Sequence, residues 1–400
     1  MKALTTKRPG YATPLILLTI IILSLAGVGL LSLGLRSRIL SVNTTLGIAA
    51  RTAADSGLQK ALFEMNEKLK IKPWDDTLLP EAINESLPNS EATYSYTVTG
   101  DTASGYFVDA VGMSGNSTRR IKAKLRLEGP FGMAIFSDDG IILENSASID
   151  WFNYSLDEKL LQVGTNSTDA GNVVLNVSAI INGDVVVGAG GDPDVVIDDL
   201  LGTITGDTYS LTEMYEIPMV EVPESLELLP SGGILNDHTT IVGSAKYDEI
   251  SLTNNRVVTI DGPVSLYVIG NMTVDNSGEL QIVDVGSNPD AYLTVYLGGD
   301  IQVVNSGLVN NLTADAKKLK IYCLDSCENV TLSNSVDFYG TIYAPTADVV
   351  IDNSTNVYGA IIAGSFVQNN SANLNYDASL RDVDITDWGV RFVVENWEEE

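Results

Sequence analysis

The chain of 400 residues has little of the chemistry that enzymes and nucleic-acid-binding proteins commonly use. Histidine occurs once, at His238, which excludes a cluster of histidines around a metal ion; its neighbours are typical of a solvated loop. Cations are scarce, with 23 Lys and Arg against 52 Asp and Glu and a net charge of −29. Because phosphate binding needs clustered cations, nucleic acid is not an expected partner.

One long segment contains no charged side chain. It covers the 25 residues from Tyr11 to Leu35, after the basic pair Lys7 and Arg8 and before Arg36. About 20 apolar residues in a helix cross a bilayer, and a short basic leader stays in the cytoplasm. The sequence therefore predicts a single-pass membrane protein whose N-terminus is cytoplasmic and whose C-terminal domains are periplasmic or extracellular.

A cleaved secretory signal is the alternative for this segment. Such a signal has an apolar region of about 7–15 residues that ends in a small-residue cleavage site. Here the run is longer, and Arg36 and Arg38 follow it. These features favour a membrane helix.

The helical pattern continues beyond the apolar segment. No proline interrupts residues 36–72, where apolar residues are set among Ala, Lys and Glu, and Pro73 follows. We therefore expect a transmembrane helix over residues 11–35 that continues as an amphipathic helix over residues 36–72.

Apolar and polar residues then alternate with a period of two. The alternation predicts three antiparallel strands, Thr93–Val98, Tyr106–Val111 and Arg120–Leu127. Packed on the amphipathic helix, these strands would form a small β region over residues 73–129.

The N-terminus resembles a known family. A basic leader, residues 1–10, ends in Gly10 and is followed by Tyr11 and the helix, as in type IV prepilins, and residues 51–62 resemble the signature of PilX-like minor pilins. The resemblance implies that a prepilin peptidase cuts after Gly10, that Tyr11 becomes the mature N-terminus, and that the helix packs among other pilin-like subunits. Leu15 stands where major pilins usually carry Glu, which implies a minor pilin or pseudopilin.

Beyond Pro130 the sequence becomes repetitive. Six segments place apolar residues two apart and then Asn-Ser at one fixed offset, and a second repeat, Tyr339–Ala344, recurs as Tyr358–Ala363 nineteen residues later. The six asparagines are Asn145, Asn276, Asn305, Asn334, Asn353 and Asn370.

This repeat predicts a parallel β-helix over residues 130–385, because stacked coils share one core and asparagine suits their tight corners. An antiparallel sandwich would not place Asn-Ser at one offset. The proline-rich residues 203–236 interrupt the period, either as an excursion across the β-helix or as a flexible strap, and residues 386–400 read as an acidic C-terminal tail. The repetitive segment resembles a domain often joined to PilX-like N-termini, which implies no activity.

The acidity admits two interpretations. Calcium could bind at Asp192, Asp194, Asp198 and Asp199, whereas solvation of an exported surface explains the same charges and is favoured. Pairs of these carboxylates could also serve a glycosidase, but such pairs arise freely among 52 acidic residues. We therefore predict no catalytic residues, no cofactor and no enzyme activity.

Only two cysteines occur, Cys323 and Cys327, four residues apart. In an exported domain they can form a disulfide, and two buried free thiols are the alternative. Since the loop is short, the bond would add little global stability.

These features predict a non-enzymatic, pilin-like structural subunit of a type IV pilus or a type II secretion-like filament. Its expected partners are membrane lipid, other pilin-like subunits and the prepilin peptidase. The alternative is a permanently anchored surface adhesin or carbohydrate-binding β-helix protein.

Overall fold

The chain forms two compact units in the computed structural model. The described residues are 12–71, 74–153, 161–383, 385 and 389–399. The first unit contains Met1–Leu127 and Arg391–Glu400, and the second is the intervening segment Glu128–Val390. The second unit is thus inserted between two parts of the first.

Helix α1 spans Ala12–Leu69 without a break, in agreement with the predicted continuous helix. Its second half buries residues three and four positions apart against a sheet: Ala50, Ala53, Ala54, Leu58, Ala61, Met65 and Leu69. The alanines permit a close approach. A Cβ added to Gly112 of the sheet would lie 2.0 Å from the Ala50 carbonyl oxygen.

The sheet of the first unit has five strands in the order β1-β2-β3-β4-β31. They are β1 (Glu81–Ser86), β2 (Thr93–Asp101), β3 (Gly105–Ser114), β4 (Ser117–Glu128) and β31 (Arg391–Glu399), the last strand of the chain. The three predicted strands are β2, β3 and β4, which pair antiparallel. Strand β1 was not predicted, and β31 forms where the sequence predicted an acidic tail.

A buried aromatic cluster explains why the C-terminal segment is a strand. Phe392 is 1% exposed, and its ring centroid lies 5.1 Å from that of Tyr106 and 5.7 Å from that of Trp74. The Asn66 side chain of α1 accepts a hydrogen bond from the Phe392 N–H (2.7 Å) and donates one to its carbonyl (3.1 Å). Because several acidic residues follow Phe392, the sequence suggested an acidic tail and did not indicate that Phe392 is buried.

The second unit consists of parallel strands in two blocks, most of them short. The N-terminal block contains β5 (Ile135–Ser137), β6 (Ile141–Leu143), β7 (Ser148–Phe152), β8 (Gln162–Thr165), β9 (Val173–Leu175), β10 (Ile180–Ile181), β11 (Asp184–Val187), the short helix α2 (Pro193–Val196), β12 (Ile197–Asp198), β13 (Thr203–Ile204) and β14 (Thr208–Ser210).

The C-terminal block follows the short helix α3 (Glu224–Glu227). It contains β15 (Ile234–Leu235), β16 (Thr239–Ile241), β17 (Ala245–Tyr247), β18 (Glu249–Thr253), β19 (Val257–Ile260), β20 (Pro263–Val268), β21 (Met272–Asp275), β22 (Glu279–Ile282), β23 (Tyr292–Leu297), β24 (Ile301–Val304), β25 (Leu308–Val309), β26 (Leu319–Cys323), β27 (Asn329–Ser333), β28 (Asp337–Asp352), β29 (Asn356–Gln368) and β30 (Asn373–Asp377). Single 3₁₀ turns occur at Ala316–Lys318 and Ala378–Arg381.

Strands pair in parallel with the third strand further along the chain. For example, β18 pairs with β21, β21 with β24 and β24 with β27. Their inward side chains form buried aliphatic columns, such as Ile250, Met272, Ile301 and Val330. Because every pairing described in this unit is parallel, an antiparallel sandwich is excluded. The nineteen-residue repeat is in register, since Tyr339 pairs with Tyr358 and Ala344 with Ala363.

The order of strands in space differs from their order in the chain. Strand β29 pairs with both β5 and β6, and β30 pairs with β7. At this junction, which we call the seam, Ile361 pairs with Ile135 and Phe366 with Ile141, all fully buried. The N-terminal block therefore stacks beyond the last strands of the C-terminal block.

Residues 211–233, the strap, return the chain from β14 to β15. The predicted irregular segment 203–236 is shorter in the structure, because β13 and β14 still pair within the stack. The strap contacts Tyr343, which pairs in register with Tyr322 and, one strand further, Tyr296; all three are at most 9% exposed. Its backbone accepts a hydrogen bond at the Pro218 carbonyl from the Tyr343 hydroxyl (2.7 Å). Burial raises the pKa of the Tyr343 hydroxyl.

Candidate functional site

The first half of α1 has no packing partner among the described residues. Every large apolar side chain from Leu15 to Leu35 is more than half exposed, and the helix is long and apolar enough to cross a membrane. Exposing so much apolar surface to water is unfavourable, so this half needs lipid or other helices. Gly10 and Tyr11, the predicted processing site, lie outside the described residues.

The six predicted asparagines occupy equivalent corners, one above another. All six have left-handed backbone angles, with φ between +49° and +65°. The serine N–H that follows each corner asparagine donates to the carbonyl of the next corner; Ser335, for example, donates to Asn353 (3.0 Å). Asparagine tolerates this conformation better than most residues, which explains its recurrence.

The side-chain amides of these corners form a hydrogen-bonded ladder. Asn334 donates to Asn305 (3.1 Å), Asn353 to Asn334 (3.0 Å) and Asn370 to Asn353 (3.2 Å). Across the seam, Asn145 donates to Asn370, 225 residues away, at 3.2 Å. The ladder thus continues through the non-sequential junction.

Asn276 is joined to this ladder indirectly, because Asn276 and Asn305 both donate to Asp275. Two further corners were missed in the sequence, one at Val177 (φ +45°) and one at Asn254. Asn254 has φ +55°, and the Asn255 N–H donates to the Asn276 carbonyl (3.2 Å). At this second corner the sequence has Asn254-Asn255, where the predicted corners have Asn-Ser. These amides bond to one another along the stack, so they stabilise the stacking of the strands.

The candidate catalytic and metal-binding residues have structural surroundings. His238 is exposed, and its Nδ1 accepts the Val257 N–H (3.2 Å). Asp192 caps the short helix α2 through the Asp194 N–H (3.1 Å). Within the described part of the chain, no three His, Cys, Asp or Glu side chains are grouped as a metal site. The four aspartates proposed for calcium, which include Asp198 and Asp199, form no such group.

The two cysteines are not joined in the structure, whereas a disulfide between them was predicted. Both are free thiols and fully buried, with Cys323 at the end of β26. A hydrogen bond with Cys327, together with burial, raises the pKa of the Cys323 thiol. The two sulfur atoms are therefore neighbours, so oxidation can join them where the compartment is oxidising.

We expect protein isolated from an exported location to contain the Cys323–Cys327 disulfide. Alkylation in denaturant followed by intact-mass measurement, with and without prior reduction, checks this. Without reduction neither cysteine should be alkylated, and with reduction both should be. Two alkylated thiols in unreduced exported protein would contradict the prediction.

Part of the chain is similar to a known protein family. Residues 229–383, less than half of the chain, match a family described as a domain of unknown function (DUF7305). No curated protein matches the sequence.

Several solved structures are similar at low identity. The competence-associated pilin ComZ from Thermus thermophilus is 15% identical, with a TM-score of 0.30 over 89% of this chain and 98% of that one. A glycosylated ice-binding protein from an Arctic yeast is 15% identical, with a TM-score of 0.35 over 65% and 96%. An ice-binding domain from Shewanella frigidimarina is 13% identical, with a TM-score of 0.31 over 62% and 94%. TM-scores of this size assign no activity to the chain.

The geometry defines the broad class of the protein. It is a mainly-β protein with a parallel sheet and one long N-terminal apolar helix that could anchor it in a membrane.

Proposed function

We propose that the chain is a pilin-like minor subunit of the PilX-like type, with no enzyme activity. One observation carries this proposal: a single 58-residue helix has a bare apolar half and a second half covered by an antiparallel sheet. Such a helix can lie in lipid before assembly and among equivalent helices afterwards. Its partners would be membrane lipid, other pilin-like subunits of a type IV pilus or type II secretion-like filament, and a prepilin peptidase.

We further infer that the second unit is a parallel β-helix displayed outside the cell. Support comes from the pairing of strands three apart, the buried aliphatic columns and the stacked asparagine corners. The outer part of the chain is strongly acidic, with 13 cations against 49 acids beyond Lys72. That charge suits a solvated surface and opposes nucleic-acid binding.

Processing of the leader tests the proposal. We expect the mature protein to begin at Tyr11, and we expect Gly10→Leu to leave the leader attached, because the peptidase acts after a small residue. N-terminal sequencing of membrane-extracted protein, expressed beside its peptidase, gives the result. Leu15→Glu is a control that should still be processed.

An intact Met1 in the wild-type protein would contradict the subunit assignment. That result would support the alternative function, a permanently anchored surface adhesin or carbohydrate-binding protein. In that case the helix α1 would serve only as an anchor.

A further inference from the structure

We propose that the first unit is a mechanical clamp in which strands β4 and β31 share any load placed on the second unit. The chain leaves the first unit at the end of β4 and returns at the start of β31. A force on the second unit therefore reaches the first through two chain connections. This inference rests on the proposed function for the source of the load, since a domain displayed on a membrane-anchored helix is subject to pulling.

Strand β4 runs in the same direction as α1. Its first residue, Ser117, lies beside Gly47 of the helix, 3.8 Å from the position of an added Cβ. Its neighbour β3 runs the opposite way, from Tyr106, which contacts Trp74 beyond the end of α1, to Gly112, which contacts Ala50. Strand β4 therefore ends near the C-terminal end of α1.

Strand β31 runs in the opposite direction. Phe392 at its start is bonded to Asn66, near the C-terminal end of α1, whereas Glu399 at its end lies 3.3 Å from Arg51. Both chain connections therefore leave the sheet at the same end. A load applied between the N-terminus of α1 and these two connections acts along both strands.

This direction of pull loads the contacts in shear. Strand β4 pairs with β3 at nine positions, from Tyr106 with Leu125 to Ser114 with Ser117. The bonds of an antiparallel pair are perpendicular to the strands, so a pull along the strand loads them together instead of one at a time.

Strand β31 provides a second attachment that acts in parallel with β4. It is fixed to α1 at both ends, by the Asn66 and Arg51 contacts, and to β4 by the ion pair of Lys124 and Glu395 (2.7 Å). The buried Phe392 ring must leave its aromatic pocket before β31 can slide. The terminal strand thus relieves β4 of part of the load.

Force spectroscopy on the full chain in detergent micelles tests the clamp. One handle is attached at the N-terminus and the other at Gly243→Cys, a position with nothing within 4 Å, while both native cysteines are fully buried. Opening of the first unit is recognised by the release of up to about 260–290 Å of chain, as expected for about 80 residues.

Three variants are compared with the wild type. A chain that ends at Val390 lacks β31, Asn66→Ala removes both bonds to Phe392, and Asn43→Ala is the exposed control on the same helix. We expect the opening force to fall to about half without β31, to fall by a smaller amount in Asn66→Ala, and to stay unchanged in Asn43→Ala.

Equal opening forces in the wild type and Asn66→Ala would overturn the proposal, as would an equal force in a truncated chain that still folds. If the truncated chain does not fold, the comparison of Asn66→Ala with Asn43→Ala decides. The measurement requires neither leader processing nor filament assembly, so its failure is distinct from failure of the proposed function.

Discussion

Replacing Gly359 with alanine is expected to destabilise the second unit by about 4 kcal/mol, the largest effect we expect of a single methyl group in this chain. Gly359 has φ +150°, and an added Cβ would lie 1.8 Å from the Gly340 carbonyl oxygen in the adjacent paired strand. The new methyl group must push apart two strands that pair continuously from Asp337 to Ala344. Denaturant unfolding followed by circular dichroism measures the loss.

Gly243→Ala is the matched control for this variant. Gly243 also lies in the second unit, but an added Cβ meets no heavy atom within 4 Å. We expect a change of no more than about 0.5 kcal/mol, as for ordinary surface substitutions. Equal stability of the two variants would show that the strands at Gly340 and Gly359 are not in the close register described.

Truncating Phe392 to alanine is expected to destabilise the first unit by about 3–4 kcal/mol. The ring is 1% exposed and lies in the aromatic cluster with Trp74 and Tyr106. Removing it leaves a cavity between the sheet and α1. Hydrogen exchange of β31 and β4 amides, read by mass spectrometry, should show faster exchange in the variant.

Phe107→Ala provides the control in the same sheet. Phe107 lies on β3 and is 44% exposed, so its removal should cost about 1 kcal/mol or less. If the two variants exchange at the same rate, then Phe392 does not anchor the terminal strand.

Much of the fold could be predicted from local patterns in the sequence. The length of α1 follows from an uncharged run joined to an amphipathic pattern, and β2, β3 and β4 follow from strict alternation. The asparagine corners could be predicted because a left-handed angle restricts the choice of residue at each turn.

Long-range pairings could not be predicted in this way. Strand β31 depends on Phe392 meeting residues more than 280 positions earlier, and its own composition is that of an acidic tail. The thiol pair depends on the oxidation state of the compartment, which no local pattern specifies.

The seam was equally hidden, because nothing in the local sequence of β5 or β29 identifies the other strand as its partner, and only their pairing defines the stacking order. The strap depends on the same information, since its course follows from which blocks it must connect.

The seam also determines when the second unit can complete its folding during synthesis. Of the strands that meet at the seam, β5, β6 and β7 are synthesised first. Their partners β29 and β30 are synthesised some 220 residues later. Until then the early strands present an open edge, which invites aggregation and proteolysis. A chain interrupted by premature termination before residue 356 can never close that edge, so quality-control proteases would remove unfinished copies.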